Sequence, residues 1–172
     1  MCAQSFSTSI NTETASELKP RIEQSTSLSS PYSDEEFEKA VEIIKKYETI
    51  HPVHRWPYVG YGHLVKKGEK IPHRQMSEKE ADALLRKDLK EYTELFKEYG
   101  VDQLLLGVLA YSVGPYRLLG AGKMKKSGIL HKLEAGNRDI ESEYISYSKY
   151  KGRCHNGLRT RRTEEFAALY RK

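Results

Sequence analysis

Along this chain, apolar residues recurring every three to four positions alternate with short stretches broken by Gly and Pro. Phe37, Val41, Ile44 and Tyr47 fall on one face of a helix. Ser33-Asp34-Glu35-Glu36 in front of them reads as a capping box, with Ser33 as N-cap and Glu36 reaching back. His51-Pro52 ends that helix, because Pro has no N–H to continue it. The Pro-, Gly- and aromatic-rich run from Trp56 to Val65, with its alternation and the later Lys67-Gly68-Glu69 turn, predicts a small antiparallel hairpin. Ser77-Glu78-Lys79-Glu80 is a second capping box. It opens a long amphipathic helix through Ala81, Leu84, Leu85, Leu89, Tyr92 and Phe96, which Gly100 ends. Leu104 to Tyr111 is apolar nearly all round, the mark of a buried central helix, and Gly114-Pro115 breaks it. Ser127 caps a short helix over 128–135, closed by Gly136-Asn137. Segments 139–147 and 158–170 read as the last two helices. The sum is an α+β domain, mostly helical, with one small hairpin near its start.

Residues 1–32 are rich in Ser and Thr and lack apolar periodicity. They bury too little to offset ordering, so they are read as a disordered tail or linker ahead of a domain at 33–172. One reading of the opening Met1-Cys2-Ala3-Gln4 is the stub of a removed export signal, which would suit an envelope, periplasmic or extracellular destination. The mean hydropathy is −0.71. The longest nearly apolar run, 104–114, is about half the length of a membrane span, so no integral membrane segment is expected. Two cysteines, Cys2 and Cys154, make neither a disulfide scaffold nor a four-thiolate zinc site, and both read as free thiols. The 172 residues carry a net charge of +5. Residues 117–172 hold fourteen Lys and Arg against six Asp and Glu, a surplus of +8, whereas the first 116 residues carry −3. Such a field attracts an anionic polymer, and nucleic acid and bacterial envelope glycans both qualify.

Several residues stand out as chemistry. Glu48 ends the first helix just before a loop rich in His and aromatics. A carboxyl against Trp56, Tyr58 and Tyr61 would be partly desolvated, the setting in which a general acid stays protonated near neutral pH; the ordinary alternative is a solvated helix-end Glu. Gly60-Tyr61-Gly62-His63 places two glycines where a ligand or chain could approach the backbone; the alternative is a tight turn with His63 satisfied locally. His51, His54, His63 and His73 could in principle bind zinc, but Pro52 keeps His51 and His54 off one helix face, so no metal is expected. Arg159-Thr160-Arg161-Arg162 sits poorly at a helix start. Such a cluster is explained by an anionic ligand, by a buried ion pair to a catalytic carboxyl, or by a solvated basic face. No nucleophile elbow and no phosphate-binding Gly-rich loop are present, and no cofactor is expected.

The order of these pieces resembles the phage-type lysozymes, the endolysin family known as glycoside hydrolase family 24. The resemblance rests on Glu48; on Val59-Gly60-Tyr61-Gly62-His63-Leu64; on Glu80-Ala81 with Leu84-Leu85 and Asp88-Leu89; and on Tyr111-Ser112-Val113-Gly114. It continues through Ser127 with Leu130, Ala135-Gly136-Asn137 with Asp139, and Gly157-Leu158 with Arg161-Arg162 and Glu165. It covers residues 35–170. It implies a small lobe with a hairpin, joined by a long helix to a helical lobe, with the cleft between them. It also implies cleavage of the β-1,4 bond between N-acetylmuramic acid and N-acetylglucosamine in peptidoglycan. Glu48 falls on the family's catalytic acid, and an Arg of the closing helix could pair with it. Trp56, Tyr61, Gly62, His63 and Arg161 are then candidate substrate contacts. The partner is the peptidoglycan glycan strand, with no nucleic acid, and the chain is expected to act as a monomer.

The sequence departs from the family pattern around the acid. Thr49 stands where the family has Gly, the loop to the hairpin is shorter, and no Asp or Cys lies between Glu48 and Gly60. Tyr58 occupies the place of the family's Thr. Glycosidases usually use two carboxylates, so the second role falls to Tyr58, His54 or His51, which could hold or activate a water. Other readings are a transglycosylase working with one Glu, a lysozyme fold that binds glycan without cutting it, and a nucleic-acid binder stacking Tyr144, Tyr147 and Tyr150 on bases.

Overall fold

The computed structural model describes residues 31–171. Cys2 and the predicted tail, apart from its last two residues, lie outside the described residues. Helix α1 (Asp34–Tyr47) begins at the expected capping box. The Ser33 hydroxyl accepts the Glu36 N–H at 3.2 Å, and the Glu36 carboxylate accepts the Ser33 N–H at 2.7 Å. Acidic residues fill its first turn and Lys45 and Lys46 its last, both favourable to the helix dipole. Its apolar stripe buries Phe37, Ala40, Val41, Ile43 and Ile44. Packing begins slightly before Ser33: Tyr32 stacks on Phe37 with centroids 6.1 Å apart, and the Pro31 carbonyl accepts Arg171 Nη1 at 2.9 Å.

The hairpin forms as two very short strands, β1 (Tyr58–Val59) and β2 (His63–Leu64), with Tyr58 opposite Leu64 and Val59 opposite His63. Gly60 (φ +54°) and Gly62 (φ +107°) make the turn, in backbone regions costly for any other residue. Helix α2 (Glu78–Glu94) starts at the second capping box. It ends earlier than the periodicity implies. Phe96 is fully buried while Leu95 stays half exposed, and to turn Phe96 inward the chain leaves the α-helix for a 3₁₀ path over Lys97–Asp102, kinked at Gly100 (φ +54°).

Helix α3 (Gln103–Val113) is the centre of the molecule, with every residue from Gln103 to Ala110 buried. It packs on α1, α2 and the last helix. It meets α2 so closely that a Cβ at Gly107 would lie 2.5 Å from Thr93 Oγ1. The chain then adds α4 (Tyr116–Leu119), α5 (Gly128–Glu134, capped by Ser127) and α6 (Glu141–Ser146).

Two features were not expected from the periodicity. Strands β3 (Lys149–Tyr150) and β4 (Arg153–Cys154) form a second hairpin, closed by Lys151 (φ +48°) and Gly152 (φ +78°). Positive φ at both loop residues is the geometry of a tight two-residue hairpin turn. The other is that α7 runs from Asn156 to Leu169, two residues ahead of the predicted start. Its N-cap is His155, whose Nδ1 accepts the Leu158 N–H at 3.3 Å, a role more usual for Ser, Thr, Asp or Asn. The α+β character and the order of main helices are as the sequence predicts.

Candidate active site

Glu48 is the C-cap residue of α1, its N–H still bonded to the Ile44 carbonyl at 2.8 Å. Its side chain is 29% exposed, and Arg161 Nη1 donates to Glu48 Oε1 at 2.6 Å. Arg161 is buried and is itself fixed from the other side, Nε donating to Glu165 Oε1 at 2.8 Å. Glu165 is fully buried and also accepts from Arg162 and from the Tyr144 hydroxyl, the latter at 3.0 Å. Arg162 in turn donates to the Ser112 hydroxyl at the end of α3. A buried ionic network of α7 therefore reaches α1 and α3 and ends at one partly exposed carboxyl. Burial would push the Arg161 guanidinium down, but the Glu165 and Glu48 carboxylates outweigh it, and the group is held above its ordinary value.

Because α7 begins at Asn156, Arg161 and Arg162 lie in its second turn rather than at its start, and the dipole objection to them weakens. Of the explanations offered by the sequence, the buried ion pair to Glu48 is the arrangement found for Arg161. Tyr47 lines the same corner. Its ring lies under the Arg161 guanidinium, 5.6 Å from ring centroid to Cζ, and its hydroxyl donates to Glu164 at 2.6 Å. That hydrogen bond, with burial, pushes the Tyr47 phenol up to about 12.

The hairpin glycines and aromatics have distinct positions. Tyr61 is 6% exposed and belongs to the core; its carbonyl accepts the Tyr111 hydroxyl at 2.9 Å. Tyr61, a candidate substrate contact in the sequence, has its ring packed in the core. His63 is likewise buried, and both ring nitrogens are taken: Nδ1 faces Asp88 Oδ2 at 2.7 Å and Nε2 faces Glu69 Oε2 at 3.0 Å. Both partners are carboxylates, which only accept, so the doubly protonated ring satisfies both. The hydrogen bond to Asp88 raises the His63 pKa; desolvation opposes it, and Glu69 adds to the rise. His63 thus takes the locally satisfied alternative, fastening β2 to α2. Gly62 is half-buried with open space where a Cβ would stand. Together with Leu64, Glu91, Tyr92 and Tyr111, it lines a cleft of about 140 Å3 between the hairpin and helices α2 and α3.

The loop between α1 and β1, with the first residue of β1, carries the remaining candidates: His54, Trp56 and Tyr58 are exposed and His51 is half-buried. His54 sits in a 3₁₀ turn over Val53–Arg55. Tyr58 is 47% exposed, its ring 6.2 Å from that of His51. Trp56 is 40% exposed and packs edge-on against His73 at 4.8 Å. The described contacts of Glu48 are to Arg161, not to Trp56 or Tyr58, so an ion pair stands where aromatic desolvation was expected. Among the described residues, no group of three or more His, Cys, Asp and Glu side chains is placed to hold a metal, and no helix is long and apolar enough to cross a membrane.

Sequence reasoning missed Glu165 as the hub of the network. Its signal was the Arg161-Arg162-x-x-Glu165 spacing, which puts Glu165 three and four residues after the two arginines and on their helix face. The family model described as phage lysozyme matches residues 39–165, and the chain belongs to that family. It is 31% identical to an endolysin of Bacillus phage B103, in a match covering 73% of this chain and 50% of that protein. The chain thus spans about half the length of the curated relative it matches.

Proposed function

We propose that the chain is a peptidoglycan hydrolase that cleaves the β-1,4 bond between N-acetylmuramic acid and N-acetylglucosamine, with Glu48 as general acid. The observation that carries this is the position of Glu48: partly exposed, at the end of α1, and held by a buried Arg161. Membership of the phage lysozyme family supports the reaction class. In the proposed step, Glu48 gives its proton to the glycosidic oxygen while a water attacks the anomeric carbon from the other face. The bond from that carbon to oxygen breaks, the water's oxygen stays on the muramic acid, and its proton leaves to a base. Residues 49–59 contain no carboxylate, so His54, exposed on the loop that follows Glu48, and Tyr58, exposed on β1, are the proposed groups that hold and deprotonate this water. Trp56 and Gly62 remain proposed glycan contacts, the first an exposed ring and the second open backbone at the cleft.

The same loop favours one second reading. With no carboxylate there, an enzyme relying on a single Glu could instead close the muramic acid's own 6-hydroxyl onto the anomeric carbon, as a lytic transglycosylase does. The two differ in product. Purified peptidoglycan digested by this protein is expected to yield muropeptides with reducing N-acetylmuramic acid ends in mass spectra. Anhydro-muramic ends would overturn hydrolysis in favour of ring closure, and bound but uncut glycan would overturn both. The proposed working form is a monomer, since Glu48 and its supporting network come from one chain, acting wherever peptidoglycan is exposed to it.

A further inference from the structure

Positive charge is also concentrated outside the buried Arg161–Arg162 network. Residues 117–133 contain no Asp or Glu, and neither do residues 144–163. The fold gathers these two stretches. The first makes a tight turn, Ala121 and Met124 bridging across Gly122 (φ +58°), with Lys123 and Lys125 exposed on it. The second makes the β3–β4 hairpin, with Lys149 and Arg153 exposed. Both spring from one root. The first turn leads into α5 and the second follows α6, and these two helices pack together, with Lys132 paired to Glu143 across them.

Lys126 is paired with Glu134 at 2.5 Å and Lys132 with Glu143 at 2.6 Å. By contrast, among the described residues Lys123, Lys125, Lys149 and Arg153 pair with no carboxylate. Beside the second turn, Lys151, Arg153, Cys154 and His155 line an open depression of about 420 Å3. Four unneutralised cations on two turns that flank the packed pair α5 and α6, with a basic hollow at the second, form a surface complementary to a flexible chain of fixed negative charges. Of the tyrosines considered for base stacking, Tyr144 is wholly buried and Tyr147 half-buried.

We propose that the two basic turns are a docking surface for an anionic wall polymer with repeating phosphodiesters, which keeps the protein on the wall while the Glu48 site works. The inference rests on the cell-wall reading given above. Phosphodiesters stay ionised at every physiological pH and accept from both Lys ammonium groups and the Arg fork.

The test uses the full chain and the variant K123Q/K125Q/K149Q/R153Q, whose four sites are exposed. Both are sedimented with Gram-positive cell walls rich in poly(glycerol phosphate), and with the same walls after hydrofluoric acid has removed the phosphodiester polymer, across a range of NaCl. The parent is expected to bind native walls with steep salt dependence and to lose most retention on stripped walls. The variant, with an unchanged thermal midpoint, should show a log–log salt slope shallower by roughly three, from four lost charges at about 0.7 each. Equal retention of parent and variant, or equal retention on stripped and native walls, would overturn the proposal. So would binding to duplex DNA that exceeds binding to isolated poly(glycerol phosphate) at equal charge. Glycan cleavage is measured separately on stripped peptidoglycan, where the variant should match the parent. Failure of both to cut there, with polymer binding intact, would sink the hydrolase reading and leave this surface standing.

Discussion

Glu165 has no exposed surface and accepts from two guanidinium groups and a phenol, so it is the residue on which the candidate site is built. Replacing it by Gln keeps its shape but leaves the two arginines short of buried counter-charge. Breaking a buried ionic network in this way costs roughly 3–5 kcal/mol. Urea unfolding of Glu165→Gln is expected to show that loss, and a midpoint equal to the parent's would show that the network is dispensable. His63 gives a second residue-scale prediction, with a defined sign in pH. Its pKa is raised in the folded state, so its stabilisation is complete below the unfolded histidine value near 6.5. It fades as pH climbs through the raised folded value. Glu69 is held below its ordinary value by the Lys66 N–H and then by His63, so its share fades only as pH falls through that lowered value. His63→Asn should therefore lower the thermal midpoint most at mildly acidic pH, by the equivalent of about 2 kcal/mol for lost charged hydrogen bonds. The gap to the parent should narrow in alkaline buffer. A gap that widens with rising pH would contradict the assignment.

At the scale of elements, what could be read from the sequence were the local signals. Both capping boxes, the Ser127 cap and the apolar run of α3 state their structure within a few residues of chain, and each forms where expected. The breaks were harder. The early end of α2 is set by Phe96 turning into a core contributed by distant residues, and nothing near position 95 announces it. The β3–β4 hairpin has strands of two residues, too short for alternation to register, and its one cue was Gly152. The N-cap at His155 escaped notice because His seldom holds that position. The close approach of α2 and α3 was also invisible, since Gly107 inside an apolar run looks like any helical glycine. Gly107→Ala must push the new methyl against Thr93, where 2.5 Å is far too close. Overpacking of this kind costs about 1–3 kcal/mol, against the gain that Ala normally brings to a helix. Calorimetry should show a lower midpoint, and a raised one would mean that the two helices slide apart freely.

For the whole molecule, the sequence singled out Glu48 and the basic third but not the geometry that joins Glu48 to Arg161. Glu48 and Arg161 are 113 residues apart, and an ion pair between them was only one of three explanations that the Arg cluster allowed. Trp56, Tyr58 and His54 are exposed, as an aromatic, Pro-broken segment suggests, whereas the burial of Tyr61 and His63 depended on how the hairpin lies on α2. The charge division has a consequence at this scale as well. Among the cations of residues 117–172, Arg161 and Arg162 are buried and organise the site, whereas Lys123, Lys125, Lys149 and Arg153 are exposed on the two turns. Neutralising the exposed set should leave folding untouched, whereas losing either buried arginine should not.

The central claim is that Glu48 supplies the proton for glycan cleavage. Its most direct test is the rate of release of reducing ends from purified peptidoglycan by the parent and by Glu48→Gln, with both confirmed folded by circular dichroism. Loss of a general acid lowers a rate by about 10²–10⁴-fold, and a fall of at least that lower size is expected, with glycan binding retained. A Glu48→Gln protein that cuts at the parent's rate would place the chemistry elsewhere and contradict the account.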